Sequence, residues 1–167
     1  MYKTNFDGAM FEETSEAGIG VVIRNSAREV ITSLSEKIPF PSSVEAVELL
    51  ASRCTVRFVQ EFGLAKSTFD GDSQSIILAL QRDDMLNSAI GHLVKDTMLF
   101  VNSLRSWSFS HIYRQNNTVA HALAKKVRFC CSFEVWMENV PPNIFNVILA
   151  DLPAPKKIEI EIEFEDL

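Results

Sequence analysis

From Val44 to Phe62 the apolar residues Val44, Val47, Leu50, Ala51, Cys54, Phe58 and Phe62 recur three and four positions apart. That spacing lays one apolar stripe along an α-helix. Pro39 and Pro41 break the chain before it, Ser42 and Ser43 can cap it, and Gly63 stops it. Upstream the rhythm changes to short β-rich runs at residues 2–6 (YKTNF), 18–24 (GIGVVIR) and 29–38 (EVITSLSEKI). The first ends at Asp7-Gly8, the polar stretch Glu12 to Ala17 reads as a turn, and so does Asn25-Ser26. Three strands on short connections predict an antiparallel meander. Downstream, residues 66–69 predict a strand, Ser73 onward a helix, and Asp83-Asp84 the cap of a helix from Met85 to Leu104. Residues 107–113 (WSFSHIY) predict the last strand and 117–126 the last main helix. The order implies an α/β fold: a mixed five-stranded sheet, three antiparallel strands then parallel crossovers, with helices on its faces.

Residues 1–128 form the expected domain. Residues 129–152 are an apolar extension containing Pro141-Pro142, packed on the domain or on a protein partner. Residues 153–167 end in IEIEIEFEDL, which alternates acid and apolar residues; its charge density predicts disorder over an exposed strand. Formal charge is −6, from 16 basic and 22 acidic side chains. Removing the two lysines and five acids of that tail leaves 14 and 17, about −3. That balance argues against a generally basic nucleic-acid binder, yet acids gathered around divalent cations can still receive a polyanion. No apolar run reaches the roughly 18 residues of a membrane helix. The N-terminal MYKTNFDGAM has no apolar stretch of signal-peptide length. Cys54, Cys130 and Cys131 are odd in number and lack a CxxC spacing, which disfavours both a disulfide framework and a cysteine zinc site. The expectation is an intracellular protein, nuclear or cytoplasmic, not secreted, not in a membrane, and monomeric.

Candidate chemistry lies in the carboxylates. Asp70 and Asp72 stand two apart in FDGDSQSI, where a strand gives way to a helix start. Asp7 closes the first strand, and Glu48 falls on or beside the apolar stripe of the long helix. A lone acid there is costly unless it is paired or ligates a cation. If the first and fourth strands are neighbours, Asp7 and Asp72 meet at one edge of the core, and a crossing helix can add Glu48. Three such acids need hard cations, for which Mg²⁺ or Mn²⁺ is suited. Gly18-Ile-Gly20 is only a fragment of a dinucleotide fingerprint inside a strand, and no phosphate cradle is expected there.

The motifs DGA (7–9), VELLA (47–51), DSQ (72–74) and NNTVAHALAK (116–125) follow one another in this order. Together they resemble the type 1 ribonuclease H domain, most closely its plant retroelement-derived, reverse-transcriptase-like form, over residues 3–128. The resemblance implies metal-assisted hydrolysis of RNA in RNA–DNA hybrids, with Asp7, Glu48 and Asp72 as three of four carboxylates that bind two ions. His121 stands where the fourth is usual. It either ligates, with a preference for Mn²⁺ over Mg²⁺, or is a partly buried helix histidine without chemistry. The alternative function is therefore a catalytically weak or inactive nucleic-acid-binding relative, or a transposon relic. Asn117 is expected to cap the last helix, or else to touch the nucleic-acid backbone or support the site. Arg114 meets a phosphate or pairs with an acid, and the backbone N–H groups at Ser73 and Gln74 can hold a phosphate. Asp70 is expected to be solvated, His111 to pack on the sheet, and Trp107, Phe109 and Phe129 to be core. Lys125, Lys126 and Arg128 read as a solvated basic face that can also touch phosphates.

Overall fold

The computed structural model describes residues 1–82, 89–129, 132–144 and 146–147. The strands are β1 (Tyr2–Phe11), β2 (Glu16–Arg24), β3 (Val30–Pro39), β4 (Lys66–Gly71), β5 (Ser106–His111) and β6 (Phe133–Met137). The helices are α1 (Val44–Phe62), α2 (Gln74–Arg82), α3 (Gly91–Val101) and α4 (Thr118–Lys126), with short 3-10 turns at Arg114–Asn116, Val127–Phe129 and Pro142–Ile144. The sheet order is β5-β4-β1-β2-β3-β6. The meander β1-β2-β3 is antiparallel, whereas β4 and β5 join β1 in parallel. Parallel neighbours require crossovers, and α1 and the α2–α3 pair supply them.

Strand β2 is buried along nearly its whole length, because helices cover both of its faces. On one face Phe6, Ile19, Val21, Leu49, Phe69 and Leu80 join the main core with α1, α2 and α3. On the other, Val22 packs with Val119 and Leu123 of α4 and with Val140 and Ile144. The two glycines of β2 make this second layer possible. A Cβ at Gly18 would sit 2.2 Å from the Ala124 carbonyl oxygen, and one at Gly20 would sit 2.1 Å from that of Ala120. Gly18-Ile-Gly20 is thus a seat for α4, which offers alanines in return.

Three expectations are corrected. The sheet has six strands, not five: Phe133–Met137 pairs antiparallel with β3, from Thr32↔Met137 to Glu36↔Phe133. Its apolar composition concealed a strand inside the extension; Glu134 meets Lys126 at 3.5 Å, and that ammonium also lies over the Trp136 ring. Second, β1 does not end at Asp7. Pairing with β2 continues from Asp7↔Gly20 to Phe11↔Glu16, and the turn shrinks to residues 12–15, with Ser15 at positive φ. Third, Phe129 is 82% exposed rather than core. The expected cap at Asp83-Asp84, the start at Met85, the cysteines 130 and 131 and the tail 153–167 lie outside the described residues. Among the described residues no helix is long and apolar enough to cross a membrane.

Gly20→Ala should lower stability by about 3 kcal/mol in urea unfolding, because its methyl meets α4 backbone that cannot step aside without moving the helix. Gly63→Ala, at a left-handed helix end with open space around it, should cost only about 1 kcal/mol. Equal losses at the two sites would show that α4 does not rest on Gly20.

Candidate metal centre

Strands β1 and β4 lie side by side in parallel, with Asn5 opposite Asp70. Two residues beyond that pair stand Asp7 on β1 and Asp72 just past the end of β4, which the register therefore carries to one place. Helix α1 begins over them. Ser43 caps it, accepting a hydrogen bond from the Ala46 N–H at 3.1 Å, and Glu48 follows in the second turn. Gly8 lets the helix come close: a Cβ there would meet the Val47 side chain at 3.0 Å and its carbonyl oxygen at 3.1 Å. One carboxylate oxygen from each of Asp7, Glu48 and Asp72 lies within 4.8 Å of the others.

This convergence has an electrostatic cost. Burial, then the charges of Asp7 and Asp72, push the Glu48 carboxyl from an ordinary 4.5 up to about 9, and only the Gly8 N–H opposes the shift. Burial and Asp7 also raise Asp72, while a hydrogen bond from Asn117 and the nearby Arg114 guanidinium pull it down. Glu48 Oε2 is buried without any hydrogen-bond partner. An orphaned buried carboxylate oxygen facing two further carboxylates fits a hard divalent cation, which prefers oxygen ligands and offsets the repulsion.

His121 faces the cluster from α4. Its Nδ1 lies 2.6 Å from Asp7 Oδ2, and its Nε2 lies 3.4 Å from Arg114 Nη2. The neutral tautomer that satisfies both contacts donates from Nδ1 and accepts at Nε2. His121 is absent from the convergent ligand group, so both ring nitrogens serve to hold Asp7 and Arg114. Asn117 is almost fully buried, and its side chain does not cap α4. Instead Nδ2 donates to the Phe6 carbonyl at 2.9 Å and Oδ1 accepts from Asn5 Nδ2 at 3.2 Å, which ties α4 to β1 beside the carboxylates. The capping place made a cap the natural reading; the nearby buried strand offered the side chain better partners.

The remaining candidates stand farther out. Arg114 is exposed in its 3-10 turn, Ser73 is half-buried just ahead of α2, and Gln74 is exposed as its first residue. Asp70 is not solvated: it is buried in an ion pair with Lys3 at 3.2 Å, outside the ligand group. His111 is exposed, with Nε2 3.2 Å from the Asp72 carbonyl oxygen, rather than packed in the sheet. Asn5 escaped the sequence reading. Its position two before Asp7 on one strand face was the available signal.

Residues 5–127 match the model of a family described as reverse transcriptase-like. No curated protein matches the chain. The structure is similar to RNase H1 of the halophilic archaeon Halobacterium salinarum NRC-1, with TM-score 0.71 and 21% identity over 76% of this chain and 96% of that one. It is also similar to the N-terminal RNase H domain of Rv2228c from Mycobacterium tuberculosis, as a fusion with maltose binding protein (TM-score 0.67, 16% identity, 75% of this chain, 96% of that one). A third match is LC11-RNase H1 in complex with an RNA/DNA hybrid (TM-score 0.66, 20% identity, 75% and 95%). At these identities the likeness is one of fold.

Glu48 makes metal-free stability depend on pH. Below about 4.5 both folded and unfolded chains hold its proton; between there and about 9 only the folded chain does. The folded state then binds more protons, so stability falls as pH rises through that window, by up to about 1.4 kcal/mol per unit for one group. Urea unfolding in EDTA between pH 5 and 8.5 should show this decline, and Glu48→Gln should flatten it and stabilise the metal-free protein at the alkaline end. Mn²⁺ should stabilise the parent chain and leave the variant nearly unchanged. Parallel curves for the two proteins would refute the buried-acid assignment.

Proposed function

The chain belongs to the reverse transcriptase-like family, and on that premise we propose that it hydrolyses the RNA strand of RNA–DNA hybrids with the help of divalent cations. The observation that carries this reading is the convergence of Asp7, Glu48 and Asp72 around an unpartnered Glu48 oxygen. These three residues would hold two Mg²⁺ or Mn²⁺ ions. When bound, such ions activate water for attack and stabilise charge on the departing 3′ oxygen, leaving a 5′ phosphate and a 3′ hydroxyl.

The chain's own residues do the rest. Asn117 fixes the Phe6 carbonyl, and with it the backbone next to Asp7, and it donates to Asp72. His121 orients Asp7 through Nδ1. Arg114 and the backbone N–H groups at Ser73 and Gln74 would meet the phosphates. A hybrid is recognised by its A-like shape, its 2′-hydroxyls and its phosphates more than by its base edges. The hybrid bound by LC11-RNase H1, whose fold this chain shares, supports that substrate class.

His121 sets the quality of the site. Three carboxylates balance less of the four positive charges of two ions than four would, so the second ion is held weakly. Mg²⁺ dehydrates reluctantly and demands near-ideal octahedral geometry, so a site short of one carboxylate disfavours it relative to Mn²⁺.

A labelled hybrid should be cut faster in Mn²⁺ than in Mg²⁺, and Asp7→Asn should lower the rate roughly 100-fold or more. His121→Asp should reduce the Mg²⁺ concentration needed for half-maximal rate by about tenfold. Absence of cleavage by the parent chain in both metals would sink the proposed reaction.

A further inference from the structure

A second set of groups lines a groove beside the carboxylates and takes no part in holding the ions. The groove encloses about 500 Å³ between the end of β1 and α4 with its following turn. Arg114, His121, Lys125 and Arg128 line it together with Phe11 and Phe129. His121 marks the end that touches Asp7. Arg128 follows seven residues later, roughly 10 Å along the helical axis. Lys125 makes no ion pair among the described residues.

The far end is unlike an ordinary solvated basic face. The Arg128 guanidinium lies 5.9 Å from the Phe11 ring centre and 5.7 Å from that of Phe129, so it sits against two aromatic rings. Glu13 Oε2 steadies it at 2.6 Å and is itself mostly exposed, where an incoming phosphate can replace it. The Phe129 ring is open to solvent on the groove wall. Point charges for phosphates beside open π faces are the chemistry of single-stranded nucleic-acid binding. A duplex keeps its bases stacked within itself, so it would offer that ring only sugar and phosphate. An unpaired base can lie flat on it.

We propose that this groove receives a single strand continuing from the hybrid, with its phosphates on Arg114, Lys125 and Arg128 and an unpaired base on the Phe129 ring. The reading rests on the proposed hybrid substrate and adds to it a preference for hybrids that end in single-stranded extensions.

Fluorescence anisotropy with the full chain in EDTA, where no strand is cut, compares a blunt hybrid with hybrids bearing a six-nucleotide extension at each end in turn. At least one extension should tighten binding about tenfold. Phe129→Ala should remove most of that gain without changing binding of the blunt hybrid, and Glu13→Gln should tighten the extended one. Lys125→Ala should lower the salt dependence of extended-hybrid binding by about one unit. A 2-aminopurine in the extension should be quenched by the parent chain and not by Phe129→Ala. Equal binding of blunt and extended hybrids, or a gain undiminished in Phe129→Ala, would overturn the proposal. Loss of hydrolysis in Mg²⁺ and Mn²⁺ with the extension effect intact would instead remove the nuclease reading and leave the groove standing.

Discussion

Everything at the functional end of this molecule depends on the mutual repulsion of three acids held where water reaches them poorly. Asp7 and Glu48 are buried, and Asp72 is partly so. Separately each would be a routine liability; together they leave Glu48 protonated near neutrality and one of its oxygens without a partner. A fold optimised for stability alone would place leucine on that stripe of α1, since an isolated buried acid costs free energy and gains no packing. The arrangement makes sense when a cation completes it. The acids then exchange repulsion for coordination, and the surrounding structure has only to prevent them from moving apart.

That restraint comes from close packing on both sides of the sheet. On one face Gly8 lets α1 descend on β1, which brings Glu48 to Asp7. On the other, Gly18 and Gly20 let α4 settle on β2, which brings Asn117 to Phe6 and His121 to Asp7. Buried Asn117 spans two backbone segments more than a hundred residues apart in sequence, and its loss would free both β1 and Asp72 at once. Positioning of the acids is therefore a property of helix–sheet distance, set by residues that have no side chain.

Much of this was legible in residue spacing. The three-and-four rhythm of α1, the capping serine and the terminal glycine predict that helix to the residue. The three β-rich runs and the parallel neighbours follow from element order, and the convergence of the acids follows from the neighbourhood of β1 and β4. Other features resist such reading because they are decided by tertiary partners. Asn117 stands at a capping position, yet a buried carbonyl captured its amide. Asp70 shares a strand end with Asp72, but Lys3 of the adjoining strand neutralises it. Phe129 has the composition of a core residue, and only the turn after α4 decides that it faces out. FEVWM alternates weakly, so its pairing to β3 is visible only once β3 has an open edge.

Helix α4 joins the two ends of the argument. Asn117, His121, Lys125 and Arg128 follow one another at spacings of four, four and three, which places them along one face. That face starts at the carboxylates and runs to the aromatic clamp around Arg128. An acid at position 121 would add a fourth negative charge between the carboxylates and the mouth of the basic groove. The imidazole brings no negative charge, keeps Asp7 oriented and holds Arg114 at the groove's rim. On the proposed function the exchange has two sides, fewer carboxylates for the cations and less repulsion for an entering phosphate, because like charge at close range opposes phosphate entry in the same way that it opposes a third buried carboxylate.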